Sequence, residues 1–181
     1  MRLFHFSEDP HIERFVPRSP EKRPEVEPMV WAVAEEFAWT YLFPRDCPRV
    51  LLWGTTDTTA TDAARWLGGD PAARIAYIEW AWLERMHATA LHRYEFDPAR
   101  FRPLVDDEWM LVSRQVETPV AVGPVGDLVE ALRASCVELR LMPTLAPLYG
   151  AWESTIHFSG IRLRNAVGWP ETAPSPPPRV S

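Results

Sequence analysis

A histidine, a tryptophan and a glutamate sit in three short segments that could together build one binding cleft. His5 lies in Leu3-Phe4-His5-Phe6-Ser7, Trp31 in Met29-Val30-Trp31-Ala32, and Glu108 in Asp107-Glu108-Trp109-Met110-Leu111-Val112. Each segment has the short apolar character of a β-strand. Alternation along a strand turns Phe4 and Phe6 away from His5 and puts Ser7 on the face of His5. A histidine at a strand end can donate a hydrogen bond to a sugar hydroxyl, and Ser7 can orient it or touch the same ligand. Trp31 offers a flat wall for a planar ring. Glu108 could act on a ribose, because glycosidic cleavage passes through an oxocarbenium-like state that a carboxylate stabilises. Asp106 and Asp107 would raise its pKa if they sat close. Taken singly, each residue has an ordinary reading: a half-buried strand histidine, a core tryptophan, a solvated acidic turn.

Arginines gather in two proline-bounded loops. Arg14, Arg18 and Arg23 fall in the first, and Arg45 and Arg49 in Pro44-Arg45-Asp46-Cys47-Pro48-Arg49. The guanidinium fork suits pyrophosphate or carboxylate, so Arg18 and Arg45 are the expected phosphate contacts. Surface ion pairs are the alternative, since the chain has 25 acidic residues. Ile161-Arg162-Leu163-Arg164-Asn165 alternates and puts both arginines on one face, toward Glu153 or toward the same pocket. Cys47 lies between two arginines, which would lower a thiol pKa. No histidine base is assigned to it, so cysteine catalysis is not expected. His87, His92 and His157 show no metal-ligand spacing, and no metal site is expected. Neither a P-loop nor a Gly-rich dinucleotide fingerprint is present.

These residues need a frame. A chain of 181 residues, 46% hydrophobic and with nine tryptophans, has the makings of one globular domain. The net charge of -6 argues against general nucleic-acid binding, which needs a basic face. Two cysteines give no disulfide framework. No signal-peptide pattern and no membrane-length apolar run are seen, so a cytoplasmic protein is expected. Strands are predicted over 2–6, 29–33, 49–53, 74–80, 91–96, 109–115 and 137–141, and helices over 35–42, 58–67, 82–87 and 125–134. Residues 101–103 read as a turn, and 156–165 as either strand or loop. The expected class is α+β, a single domain over 1–168 with a twisted mixed sheet. A Pro-rich disordered tail is expected over 169–181.

The three segments resemble the ADP-ribosyltransferase fold, most nearly its diphtheria-toxin and poly(ADP-ribose) polymerase branch. That branch has His-Gly-Ser on its first strand, and His5-Phe6-Ser7 keeps the His and Ser and loses the Gly. It then has Tyr-Phe-Ala running into a helix that lines the nicotinamide pocket. Val30-Trp31-Ala32 and the helix over 35–42 are similar, with Trp31 for the tyrosine and no match for the pocket serine. Its catalytic segment is Glu-Tyr-Ile-Val-Tyr, resembled by Glu108-Trp109-Met110-Leu111-Val112. The resemblance implies NAD as substrate, with transfer of ADP-ribose to an acceptor it does not name. It implies that His5 and Ser7 hold ribose, Trp31 and Tyr41 line the nicotinamide pocket, and Arg18 or Arg45 meets phosphate. Glu108, with His5, would be catalytic. The alternative is a non-catalytic module whose Trp-rich cleft takes a small ligand or a partner protein, in which His5 and Glu108 do not converge. The whole chain also resembles a group of small bacterial proteins of unknown function that share the Leu-Phe-His-Phe-Ser-Glu-Asp opening and the Pro-Arg-Asp-Cys-Pro-Arg segment.

Overall fold

The computed structural model describes residues 1–19, 25–104 and 107–170, with the side chains of Asp107 and Glu108 outside the description. Its strands, in chain order, are β1 (Leu3–Ser7), β2 (Val30–Ala34), β3 (Arg49–Trp53), β4 (Arg74–Glu79), β5 (His92–Phe96), β6 (Arg102–Leu104), β7 (Asp107–Ser113), β8 (Ala121–Pro124), β9 (Val137–Met142) and β10 (His157–Ile161). The α-helices are α1 (Ala60–Trp66), α2 (Leu83–Ala88) and α3 (Leu128–Ala134), and 3-10 turns cover Glu35–Tyr41 and Ala146–Glu153 among others. The protein is therefore α+β. Among the described residues, no helix is long and apolar enough to cross a membrane. Within the expected 1–168 span the chain groups into two compact units. One holds Met1–Leu42 and Ala90–Gly126, the other Phe43–Thr89 and the described residues from Asp127 onward.

The expectation of one mixed sheet is corrected to two sheets. The first unit carries six strands in the order β6-β7-β2-β1-β5-β8, and the second carries four in the order β10-β3-β4-β9. Every pairing in the six-stranded sheet is antiparallel. Only the four-stranded sheet is mixed, through the parallel β4–β9 pair. Residues 101–103, expected as a turn, leave only Phe101 outside a strand: Arg102 pairs with Val112 and Pro103 with Leu111 as part of β6. A proline is tolerated there because β6 is an edge strand.

One face of the six-stranded sheet is dry. Leu3, Val30, Ala32, Ala34, Tyr94, Phe96 and Leu111 form it, and Phe15 and Phe101 cover it from loops. These residues recur at every second position of β1, β2, β5 and β7, as a half-buried sheet requires. After β2 the chain turns through Glu35–Tyr41 as a 3-10 helix rather than the predicted α-helix. Its N-cap, Ala34, has no side chain to satisfy the first amides. Thr40 also donates its hydroxyl to the Phe37 carbonyl at 2.8 Å, a local bond that competes with the helical ladder.

In the second unit, all five residues of β3 are buried, which explains the apolar run Val50–Trp53. Val50, Leu52, Ile75, Tyr77, Leu145 and Leu148 make a core there, joined at its rim by Trp66, Phe158 and Trp169. Trp169, placed in the expected tail, is thus packed; residues 171–181 lie outside the described residues. Thr59 caps α1 by accepting from the Asp62 amide, and Asp127 caps α3 by accepting from the Glu130 amide. Gly54 ends β3 where a Cβ would meet the Pro71 carbonyl oxygen at 2.1 Å, so no other residue fits without moving the chain. Residues 156–165 resolve into β10 followed by a 3-10 turn at Leu163–Asn165.

Candidate functional site

The three segments singled out in the sequence lie on neighbouring strands, β7, β2 and β1. The ladder between β1 and β2 is short. It covers Leu3↔Ala34 and Phe4↔Val33, whereas β1 pairs with β5 through all five residues, from Leu3↔Phe96 to Ser7↔His92. β2 stays paired with β7 through Trp31↔Val112 and Val30↔Ser113. Past Phe4 and Val33, then, the middle of the sheet has two strand edges with no ladder between them.

His5 bridges this notch. Its Nδ1 lies 2.9 Å from the Trp31 carbonyl oxygen. A carbonyl can only accept, so Nδ1 carries the proton, and in the neutral ring Nε2 is an acceptor. The sequence reading made His5 a donor to a sugar hydroxyl; the geometry makes it an acceptor unless the ring is protonated. The ring also meets Phe15 edge-on at 4.9 Å between centroids.

His5 and Trp31 do not line one cleft with their side chains. Leu3 and His5 share the dry face. Trp31, two residues from Val33, shares the opposite face with Phe4, because Phe4 and Val33 pair directly. That second face is half-buried at Phe6, Trp31, Met110 and Val112. Tyr41 closes over it from the 3-10 helix. The rings of Phe6 and Tyr41 are parallel to within 3°, with centroids 6.5 Å apart. The Tyr41 hydroxyl donates to the Met110 sulfur at 3.5 Å, which fixes the ring's outer end. Met110 thus meets the outer end of a pair of parallel rings.

The other expected site residues are distributed as follows. Ser7 shares the face of His5, but its hydroxyl accepts from the Asp9 amide at 3.1 Å and serves the turn after β1. Arg18 pairs through its main chain with Met29, at 3.1 and 3.2 Å, just before β2, and its side chain is exposed. Arg45 belongs to the second unit, where its carbonyl accepts from Arg162 Nε at 3.1 Å. Asn165 donates to the Asp46 carbonyl at 2.7 Å, so Arg162 and Asn165 brace the loop over 44–48. The expected alternation of Arg162 with Arg164 fails because β10 ends at Ile161 and Arg162 is left-handed, with φ 56°. Glu108 is the second residue of β7, and its side chain lies outside the described residues, as do Arg23 and Asp106.

Charges around the second face are organised by Arg2. It grips Glu95 through Nε and NH2 at 3.0 and 2.8 Å and reaches Glu35 at 3.0 Å. The Arg2 hydrogen bond holds the Glu95 carboxyl below its ordinary range. Cys47 requires a correction. Burial pushes its thiol up to about 12, and the nearby Arg49 and Arg85 offset this only in part. It is fully buried, so the expected lowering does not occur. Among the described residues, no group of three His, Cys, Asp or Glu could hold a metal ion.

Sequence reading missed Phe6, which it treated only as the substitute for a glycine, and missed Met110 as a site residue. The signal available was parity: Phe6 is an even neighbour of Phe4. Only the register with β2 shows that Phe4's face is also that of Trp31.

No curated protein and no solved structure matches this chain. A family model described as a family of unknown function (DUF6886) matches residues 4–166, and the chain belongs to that family.

Proposed function

We propose that this family member is an ADP-ribosyltransferase-like protein that binds NAD or a related nucleotide in its first unit, with the nicotinamide ring between Phe6 and Tyr41. The observation that carries the reading is the parallel pair of rings, 6.5 Å apart, at the open end of the β1–β2 ladder. Carbon atoms in contact are separated by about 3.5 Å, so one planar ring between two others needs about 7 Å. A ring bound between them would therefore hold Phe6 and Tyr41 face to face about 7 Å apart. The strand edges beyond Phe4 and Val33 offer main-chain donors and acceptors for a carboxamide, as obligatory hydrogen-bonding groups. Adjacency of β7, β2 and β1 agrees with the motif resemblance, since it gathers the three segments in one sheet.

In this reading Glu108 is the carboxylate that stabilises positive charge on the ribose as nicotinamide leaves, and ADP-ribose passes to an acceptor. The protein would work in the cytoplasm. Titration with NAD, followed by tryptophan fluorescence and by Tm, tests the binding. Phe6→Ala and Tyr41→Ala should each weaken binding by about tenfold, the scale of one stacking contact. No response at millimolar NAD, or unchanged affinity in both variants, would overturn it. Release of nicotinamide tests the chemistry. Glu108→Gln should keep affinity and lose on the order of 100-fold in turnover.

A second reading is a non-catalytic module that binds a small ligand on the same face. It is favoured by His5, whose Nδ1 is taken up by the Trp31 carbonyl. Binding without any nicotinamide release in the wild type would select it.

A further inference from the structure

We infer that Arg93 holds the phosphate of a ligand whose ring enters between Phe6 and Tyr41, so that the site takes a phosphorylated nucleoside in preference to the free base. The inference rests on the ring-binding reading above.

Arg93 is the direct cross-strand partner of Phe6. Direct partners have Cβ atoms about 5 Å apart and point to one face of the sheet. Arg93 therefore leaves the sheet beside Phe6, on the side away from β2. Its guanidinium lies over the Phe4 ring, 4.8 Å from the centroid. Stacking of this kind orients the planar fork before a ligand arrives.

Its charge is felt by Glu95, but among the described residues no carboxylate is hydrogen-bonded to it. Arg2 stacks on the same Phe4 ring at 4.8 Å, but it is engaged with both Glu95 and Glu35. Glu95 is the acid nearest to Arg93 along β5, and both of its oxygens already accept from Arg2. The Arg93 side chain has no hydrogen bond or ion pair among the described residues, and the residue is exposed.

Space lies on its outer flank. The partner of Arg93 on β8 is Gly123. A Cβ added at Gly123 would meet nothing within 4 Å. A row of Gly123, Arg93 and Phe6 thus places an open position, a guanidinium and a ring wall side by side. That row suits a base joined through a sugar to a phosphate, with the base at the wall and the phosphate at the fork.

The test uses four probes on the full chain: nicotinamide, nicotinamide riboside, nicotinamide mononucleotide and inorganic pyrophosphate. Wild type should bind the mononucleotide about tenfold more tightly than the riboside, the worth of one charge-assisted contact. The gap should close in Arg93→Gln, with nicotinamide affinity unchanged and Tm reported alongside. Gly123→Glu should close it as well, by placing a carboxylate beside Arg93 without touching Phe4. Equal affinities for riboside and mononucleotide in wild type, or a gap that survives both substitutions, would overturn the assignment of Arg93 while leaving the ring site intact. Pyrophosphate binding that depends on Arg93, without binding of nicotinamide or riboside, would keep the anion site and remove the nucleotide reading. Silence from all four probes overturns both.

Discussion

The imidazole of His5 donates to the Trp31 carbonyl at 2.9 Å at the point where β1 and β2 stop pairing. A side chain thus occupies a main-chain acceptor where the two strands have no ladder. The bond ties the two edges of the notch together and sets the tautomer of His5. It gives the histidine a structural role through Nδ1.

Removal of that bond should be felt in stability. His5→Ala leaves the Trp31 carbonyl without its imidazole donor and opens space under Phe15. The expected cost is about 1–3 kcal/mol, read from the midpoint of urea denaturation. A change below about 0.5 kcal/mol would mean that water replaces the imidazole freely.

Cysteine reactivity should divide sharply. Cys47 is buried and its thiol is pushed up to about 12, while Cys136 is exposed. At pH 8 an alkylating reagent should label Cys136 in the folded protein. Cys47 should react more than about a hundredfold more slowly, and at full rate only after unfolding. Mass spectrometry after brief labelling reads the ratio. Comparable labelling at both positions would contradict the burial argument.

The pH dependence of the second unit should show the Asp127 cap. Asp127 Oδ2 meets His87 Nδ1 at 2.7 Å, and Oδ1 accepts from the Glu130 amide at 2.9 Å. The His87 bond, then the amide bond, holds the Asp127 carboxyl below its ordinary range. A depressed carboxylate contributes stability above its unfolded pKa and loses it as pH falls through the folded value. The loss therefore belongs below about pH 4. Carbon-13 titration of the Asp127 carboxyl should give a higher midpoint in His87→Ala than in wild type. An unchanged midpoint would show that the pair carries no electrostatic coupling in solution.

Much of the fold could be read from local pattern. β3 is legible because all five of its residues are buried, and the helix over 58–67 carries a Thr cap near its start, whereas the helix predicted from 125 begins only after its cap, Asp127. The short edge strand β6 was hidden by Pro103, whose usual meaning is a turn. The division into two sheets was hidden because it depends on which strands pair, and pairing is non-local. The same limit shaped the site. Strand identity for His5, Trp31 and Glu108 was visible, as was the alternation within each strand. The relative parity of two strands was not visible, because a shift of one residue in register exchanges faces. Hence His5 was grouped with Trp31, and Phe6 and Arg93 were passed over.

The account turns on whether a planar ring enters between Phe6 and Tyr41. A crystal structure of the protein grown with nicotinamide mononucleotide answers this most directly. The account predicts the pyridine ring parallel to both side chains, about 3.5 Å from each, with the Phe6–Tyr41 separation near 7 Å. A ligand bound elsewhere on the molecule, with Phe6 and Tyr41 still facing one another at 6.5 Å, would contradict it.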